Sequence, residues 1–242
     1  MDDQSSTTHS FFYQNFSIDE RREYVKTLKS NEDWAQAVLL GDEWANCLTH
    51  SFGLILSIIG FIFLIHYPLQ ENDYWKLLNF SVYGTSLILL YAASSCYHGL
   101  PISNLKKVFQ TLDHCAIYLL IAGSYTPFTM LALGGIWGWV LFGIVWSFAG
   151  VGIILKTFFR HRFKIISMSL YLLMGWLIVI AAEPLVERLH PLGLNWLIAG
   201  GIFYTGGVIF YVLDKRRFFH AIWHLFVLTG SVCHYFAILL YL

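Results

Sequence analysis

After its first 41 residues, the chain consists of long apolar segments separated by short polar breaks. Each of seven segments is close to the ~20 residues that a helix needs to cross a bilayer. They lie near residues 45–66, 76–98, 109–132, 136–155, 165–182, 194–213 and 218–242. Because backbone polar groups inside a bilayer must be satisfied within the protein, this pattern predicts an all-α integral membrane bundle of seven transmembrane helices.

Local features predict how some of these helices are arranged. The break at Gly134-Gly135 is so short that the third and fourth helices must be antiparallel neighbours. Pro127 lacks a backbone N–H and crowds the preceding turn, so it predicts a kink in the third helix. Close helix packing is favoured by two glycine pairs of the sixth segment, Gly200-Gly201 and Gly206-Gly207.

Residues 1–41 are the long polar segment, and residues 42–242 are the predicted membrane domain. Ser17 to Glu20 has the spacing of a helix capping box, and Ser30 to Asp33 has a similar form, so we expect short interfacial helices in this segment. The first residues are acidic and lack the basic region and apolar run of a cleavable signal peptide. We therefore expect the first transmembrane helix to act as the targeting signal.

Composition and charge agree with a membrane location. Hydrophobic residues make up 57% of the chain and charged residues 12%, compared with about 25% charged residues in a soluble domain. All but two of the 15 Lys and Arg residues, Lys76 and Arg188, fall on one predicted side. The positive-inside rule places that side, with the N-terminus, in the cytoplasm and the C-terminus outside. We expect a multi-pass protein of the inner (plasma) membrane, without a nucleic-acid partner.

Several polar groups gather at one depth of the predicted bundle. Ser94 and His98 end the second segment, Asp113 begins the third, and His220 and His224 begin the seventh. These helix ends all lie on the predicted cytoplasmic side, so the side chains share one layer. The start of the first segment adds Glu43, Asn46, Thr49 and His50. Ionisable groups within a membrane are costly and usually have a partner or a function.

His98, His220 and His224 together predict a zinc site. Two histidines four residues apart share one helix face, and a facing helix supplies the third. Three imidazoles leave one position of a tetrahedral zinc ion open for water. Asp113 could accept a hydrogen bond from that water or orient a ligand histidine. Ser94, one turn before His98, could bond to the water, to Asp113 or to substrate.

These residues also have simpler interpretations. An isolated pair such as His220 and His224 is more often hydrogen-bonded than metal-bound, and a single buried histidine is usually a satisfied polar residue. Asp113 could pair with Lys106 or Lys107. His50 and His234 could line the same cavity, but hydrogen bonds between helices are the expected role of both. Packing or hydrogen bonding is expected of His114.

The ordered motifs carry a resemblance to a known family. They are Ser94-x-x-x-His98 at the end of the second span, Asp113 at the start of the third, and His220-x-x-x-His224 at the start of the seventh. This set is similar to the signature of the hemolysin III family, which belongs with the progestin and adipoQ receptors and, more distantly, the alkaline ceramidases. The stretches from Glu43 to His50 and from Tyr125 to Phe128 also resemble this family. The resemblance covers about residues 42–242.

The resemblance implies a seven-helix bundle with an intramembrane zinc ion near the cytoplasmic face. The three histidines would ligate zinc, and Asp113 would contact it through water. In eukaryotic relatives this site is associated with hydrolysis of ceramide-like amides. The name of the bacterial branch implies a different function, haemolytic activity.

Two functions remain open. One is a zinc-dependent hydrolase of a membrane lipid amide or ester, in which Asp113 and Ser94 assist catalysis on a ceramide-like or fatty-acyl substrate. The alternative is a non-enzymatic membrane sensor or cytolytic protein in which zinc is structural. A secreted pore-former would need an export signal and a soluble state, and the apolar outer halves of the spans argue against an ion path.

Overall fold

The computed structural model describes residues 32–101, 104–159 and 164–242, and of residues 32–40 and 164 it describes the backbone. Every regular element in these ranges is helical. In chain order the α-helices are α1 (Glu32–Glu71), α2 (Tyr74–Gly99), α3 (Asn104–Pro127), α4 (Gly135–Phe159), α5 (Lys164–Trp176), α6 (Ala182–Arg188), α7 (Pro191–Val212) and α8 (Phe219–Tyr241). A π-helix, Phe128–Leu133, extends α3, and a 3₁₀-helix, Leu177–Ala181, joins α5 to α6.

The prediction of seven transmembrane helices is confirmed. Seven segments of the described chain are long and apolar enough to cross a membrane: Gly41–Glu71, Tyr74–Gly99, Asn104–Leu133, Gly135–Phe159, Ile165–Arg188, Pro191–Val212 and Phe219–Tyr241. Large apolar side chains such as Ile136 and Ile165 point outward. In a bilayer these surfaces contact lipid, so the chain is a multi-pass membrane protein.

The fifth span is longer than the sequence pattern predicts. Its predicted end at residue 182 is wrong, because the helix resumes as α6 and continues to Arg188. Glu183 and Pro184 look like the end of an apolar helix, but Pro184 lies in the first turn of α6, where its missing N–H has no helical partner to lose. The Arg188 guanidinium then donates to the carbonyl of Leu133 at the end of the third span.

The N-terminal part of the chain is described only from Glu32. The first predicted capping box lies outside the described residues, and the second is cut by their boundary, so the surface helices stay a prediction. From Glu32 the helix α1 runs without interruption to Glu71. An ion pair of 3.6 Å between Asp42 and Arg217 joins the start of the first span to the turn before α8.

The second span forms the centre of the core. α2 packs against both α1 and α3, while α8 packs against α7 and α1. Two buried tyrosines of α2 reach α8: the Tyr91 hydroxyl donates to Ser231 Oγ at 2.8 Å, and the Tyr83 hydroxyl donates to the Ser231 carbonyl at 3.1 Å. These bonds join helices that are far apart in sequence and bring the end of α2 next to the start of α8.

The backbone can be compared with the predictions made for the α3–α4 turn, for Pro127 and for the glycines of the sixth span. α3 and α4 pack against each other, and Gly134 and Gly135, with φ of 56° and 53°, form the turn between their spans. At Pro127 the helix changes to π-helical geometry. On α7, a Cβ at Gly207 would lie 2.8 Å from Phe226 of α8. Close α7–α8 packing therefore requires glycine at this position.

Candidate metal centre

The three predicted ligand histidines meet at one end of the bundle. His98 lies in the last turn of α2, and His220 and His224 lie in the first two turns of α8. One nitrogen from each ring can be chosen so that all three lie within 4.8 Å of one another. The His98 ring centroid is 5.2 Å from that of His220 and 5.1 Å from that of His224.

The turn before α8 directs its two histidines inward. Phe218 has a left-handed backbone, with φ of 61°, which is uncommon for a bulky residue. The Arg217 guanidinium lies over its ring, 4.5 Å from the centroid. The chain therefore turns sharply into α8, and His220 and His224, one helical turn apart, face α2.

A carboxylate of α1 orients His98. Glu43 Oε2 lies 3.3 Å from His98 Nδ1, so a proton on Nδ1 is shared with the carboxylate and the lone pair is left on Nε2. Lys106 Nζ donates to the same Glu43 oxygen at 3.1 Å and to the Leu100 carbonyl, also at 3.1 Å. The ion pair of Glu43 and Lys106 joins α1 to the start of α3, and the same carboxylate also contacts His98.

The backbone of α1 fixes the tautomer of His224. His224 Nδ1 lies 3.2 Å from the carbonyl oxygen of Asn46 and 3.1 Å from Thr49 Oγ1. A carbonyl can only accept a hydrogen bond, so Nδ1 carries the proton and Nε2 keeps its lone pair. His224 is only 2% exposed, and its orientation is therefore set before any ligand binds.

The unpaired nitrogens in this cluster fit a metal ion. His98 Nε2 and His220 Nδ1 are buried and make no hydrogen bond to any described residue. Buried polar atoms are almost always paired. Neutral imidazole nitrogens are common zinc ligands, and the carboxylate behind His98 is an arrangement often seen at zinc sites.

Asp113 and Ser94 lie beside the histidines. Both are buried, and Asp113 of α3 is close enough to Ser94, His98 and Lys156 to interact with all three. The Ser94 hydroxyl is fully buried and lies next to the Asp113 carboxyl group. Lys156 is a buried cation at the end of α4. It is an electrostatic neighbour of Asp113 that the sequence-based choice of Lys106 or Lys107 missed.

Three further histidines, His50, His114 and His234, differ in whether they form hydrogen bonds. His234 Nε2 lies 3.3 Å from the Leu197 carbonyl of α7, which confirms the predicted bond between helices. The carbonyl of His114 accepts from the Tyr171 hydroxyl. Hydrogen bonding is the wrong interpretation for His50, because neither of its ring nitrogens has a hydrogen-bond partner among the described residues. Its ring stacks on His224 instead.

Glu43 was expected in the polar layer, but neither its contact with His98 nor the place of Lys156 beside Asp113 was predicted from the sequence. Glu43 shares a helix face with Asn46 and His50, three and seven residues later, and this spacing could have marked it as a partner of the histidines. No comparable signal was available for Lys156, since a lysine at the end of a transmembrane helix usually extends to the interface. Its burial depends on how α4 packs against α3.

These observations define an integral membrane protein of seven spans with a cluster of three imidazoles, two of them buried and the His220 ring half-buried, and a carboxylate at one end of the bundle. The haemolysin-III related family model matches residues 39–235, and the chain belongs to this family. It is 47% identical to Hemolysin-3 of Bacillus cereus over 200 residues, which cover 83% of this chain and 91% of that protein. It is 44% identical to the Hemolysin-3 homolog of Bacillus subtilis over 200 residues, covering 83% and 94%.

Similarity to a more distant relative indicates the superfamily to which this family belongs. The adiponectin receptor protein of Drosophila melanogaster is 26% identical over 231 residues, which cover 81% of this chain and 50% of the receptor. The family therefore stands within the progestin and adipoQ receptor superfamily, as the motifs predict.

Proposed function

We propose that His98, His220 and His224 bind zinc and that the protein hydrolyses an amide or ester bond of a membrane lipid. The observation that carries this proposal is the set of imidazole nitrogens that converge within 4.8 Å, two of them buried without a hydrogen-bond partner among described residues. A carboxylate and a hydroxyl lie beside them. Such a combination in one membrane layer is typical of a hydrolytic site.

Each residue has a separate task in this proposal. Zinc supplies a Lewis acid that polarises the scissile carbonyl and lowers the pKa of a water molecule to about 7. Asp113 accepts a proton from the attacking water and returns it to the leaving amine or alcohol. Ser94 donates a hydrogen bond to the oxygen of the carbonyl under attack. Glu43 and the Asn46 carbonyl keep His98 and His224 oriented.

An open groove at the side of the bundle supports an acyl-chain substrate. It has a volume of about 350 Å³ and lies between α5 and α7, lined by Leu172, Thr205, Val208, Ile209, Val212 and Leu213. Its lining is almost wholly apolar. Next to Val212 in the chain is Tyr211, whose ring centroid is 6.3 Å from that of His220. An acyl chain in this groove, of a ceramide-like or other fatty-acyl lipid, would lie on the side of the bundle near Tyr211, the neighbour of His220.

The distribution of basic residues supports an orientation. The end of the bundle that carries the histidines also carries Lys106, Lys107, Lys156 and the run from Lys215 to Arg217, whereas Lys76 and Arg188 lie at other helix ends. From the positive-inside rule we propose that the site lies in the cytoplasmic half of the plasma membrane, with the C-terminus outside.

The alternative is a sensor or cytolytic protein with structural zinc. One relative is named Hemolysin-3, and the candidate ligands join α2 to α8 while their hydrogen-bond partners lie in α1. Zinc would then act as a clamp on three helices. In this case removing a ligand destabilises the bundle, and no lipid is hydrolysed.

Metal analysis and a lipid panel test the two functions. We expect stoichiometric zinc in the purified protein and in His66→Ala, a control in the exposed part of α1, and loss of zinc in His98→Ala. We expect hydrolysis of a lipid amide or ester that Asp113→Ala abolishes while zinc remains bound. Zinc without hydrolysis of any lipid, together with a lower unfolding temperature of His98→Ala, supports the structural alternative.

A further inference from the structure

His50 is a fourth buried imidazole next to the candidate metal centre. It lies in α1, one turn after Asn46, and is 3% exposed. Its ring stacks on His224 with centroids 3.5 Å apart and planes 18° apart. Tyr91 packs perpendicular to the His50 ring, with centroids 5.1 Å apart and planes 89° apart. The sequence placed His50 in the polar layer but did not show which group it contacts.

Both neighbours of the His50 ring are themselves fixed. His224 is held by the Asn46 carbonyl and Thr49, and the Tyr91 hydroxyl is held by Ser231. Tyr91 can lie this close to α1 because residue 53 is glycine: a Cβ there would be 2.7 Å from the tyrosine ring. The fold therefore sets the position of the His50 ring by contacts with two aromatic rings, one parallel to it and one perpendicular.

The two nitrogens of His50 are left without partners. Nδ1 and Nε2 are both buried, and neither makes a hydrogen bond to a described residue. A neutral imidazole has one N–H donor and one acceptor, and leaving both unmade in a membrane interior is unfavourable. His50 is also not among the three residues whose nitrogens lie within 4.8 Å of one another. Its nitrogens are thus available to a molecule other than the metal.

We infer that His50 binds the polar group of the lipid substrate. The inference rests on the proposed function and adds to it a residue that holds the carbonyl or hydroxyl group next to the scissile bond. The stacked position beside His224 puts this donor next to the histidine cluster, on the side of α1. An ordered water molecule is the other group that could satisfy the same nitrogens, and binding measurements separate the two.

The test uses His50→Phe in an Asp113→Asn background, so that a bound amide is not turned over. Phenylalanine keeps an aromatic ring for stacking on His224 and removes both nitrogens. We expect both the background and the double variant to keep stoichiometric zinc by metal analysis. We expect the double variant to bind a tritiated long-chain ceramide in detergent micelles about tenfold more weakly, a typical effect of losing one substrate hydrogen bond. His50→Gln, which keeps a donor, should recover part of the affinity.

A matched control is His66→Phe in the same background. His66 lies in the same helix but is exposed, and we expect its replacement to leave ceramide affinity unchanged. Equal affinity of His50→Phe and the background, with zinc bound, would overturn the inference and leave water as the occupant. Loss of zinc in His50→Phe would overturn it by making His50 part of the metal site. Failure of the Asp113→Asn background to bind ceramide at all would also overturn it.

The outcome for His50 can be told apart from that for hydrolysis. Wild-type protein that hydrolyses no lipid refutes the proposed reaction. If ceramide still binds to this inactive protein and His50→Phe weakens the binding, the inference about His50 holds. The protein would then sense lipid without cleaving it.

Discussion

Replacing Glu43 with glutamine changes the charge behind His98 while preserving the shape of the side chain. Glu43 Oε2 lies 3.3 Å from His98 Nδ1 and 3.1 Å from Lys106 Nζ, and the glutamate side chain is 15% exposed. Removal of such a carboxylate partner typically costs 10- to 100-fold in metal affinity. Glutamine keeps an oxygen that can accept from Nδ1–H, so only the charge-assisted part of this bond is lost.

We therefore expect a graded series. Zinc affinity should fall by ~10-fold in Glu43→Gln, or ~1.4 kcal/mol, and approach a 100-fold loss, or ~2.7 kcal/mol, in Glu43→Ala. Alanine also leaves the buried Lys106 ammonium without this carboxylate, although the Leu100 carbonyl still accepts from it. The unfolding temperature should consequently fall further in Glu43→Ala than in Glu43→Gln.

The affinities can be measured by titrating zinc against a chelator of known affinity in detergent micelles. Glu71→Gln is the matched control, because Glu71 ends the same helix at an exposed position, and its zinc affinity should equal that of wild type. If Glu43→Gln and Glu43→Ala both bind zinc within twofold of wild type, the carboxylate does not orient a ligand and the reasoning is refuted.

Two further substitutions test the core that positions the site, each by thermal unfolding in detergent. Ser231→Ala removes the Oγ that bonds to both Tyr91 and Tyr204 and should cost about 1–3 kcal/mol, whereas Thr229→Ala, which loses a bond only within its own helix, should be nearly neutral. Gly53→Ala places a methyl group 2.7 Å from Tyr91 and should cost about 1–3 kcal/mol. Gly143→Ala, with no atom within 4 Å, should not lower the unfolding temperature. Equal unfolding temperatures within either pair would contradict its prediction.

The seven spans could be predicted because hydropathy depends on composition within each segment and not on how segments pack. The same local pattern failed at the end of the fifth span, where Glu183 and Pro184 look like a boundary but the helix resumes. The convergence of His98 with His220 and His224 also followed from the sequence. Alternating helix direction fixes which helix ends share a side of the membrane.

The partners of the histidines could not be predicted in the same way. Whether Glu43 faces His98 depends on the rotation of α1 about its axis, and the burial of Lys156 depends on the crossing of α4 with α3. A single sequence gives the face of each helix but not the neighbour it meets. The stacking of His50 on His224 is a tertiary contact of the same kind, which is why its unpaired nitrogens are apparent only in the folded bundle.

The order of the site residues along the chain has a consequence for biosynthesis. His98 leaves the ribosome with the second span, whereas His220 and His224 belong to the last helix, Phe219–Tyr241. Any nascent chain that ends before α8 carries one of the three imidazoles, and its Tyr91 lacks Ser231 to bind. An ion that needs all three histidines would be captured only after α8 has entered the membrane, so metal loading would mark a chain in which all seven spans are inserted.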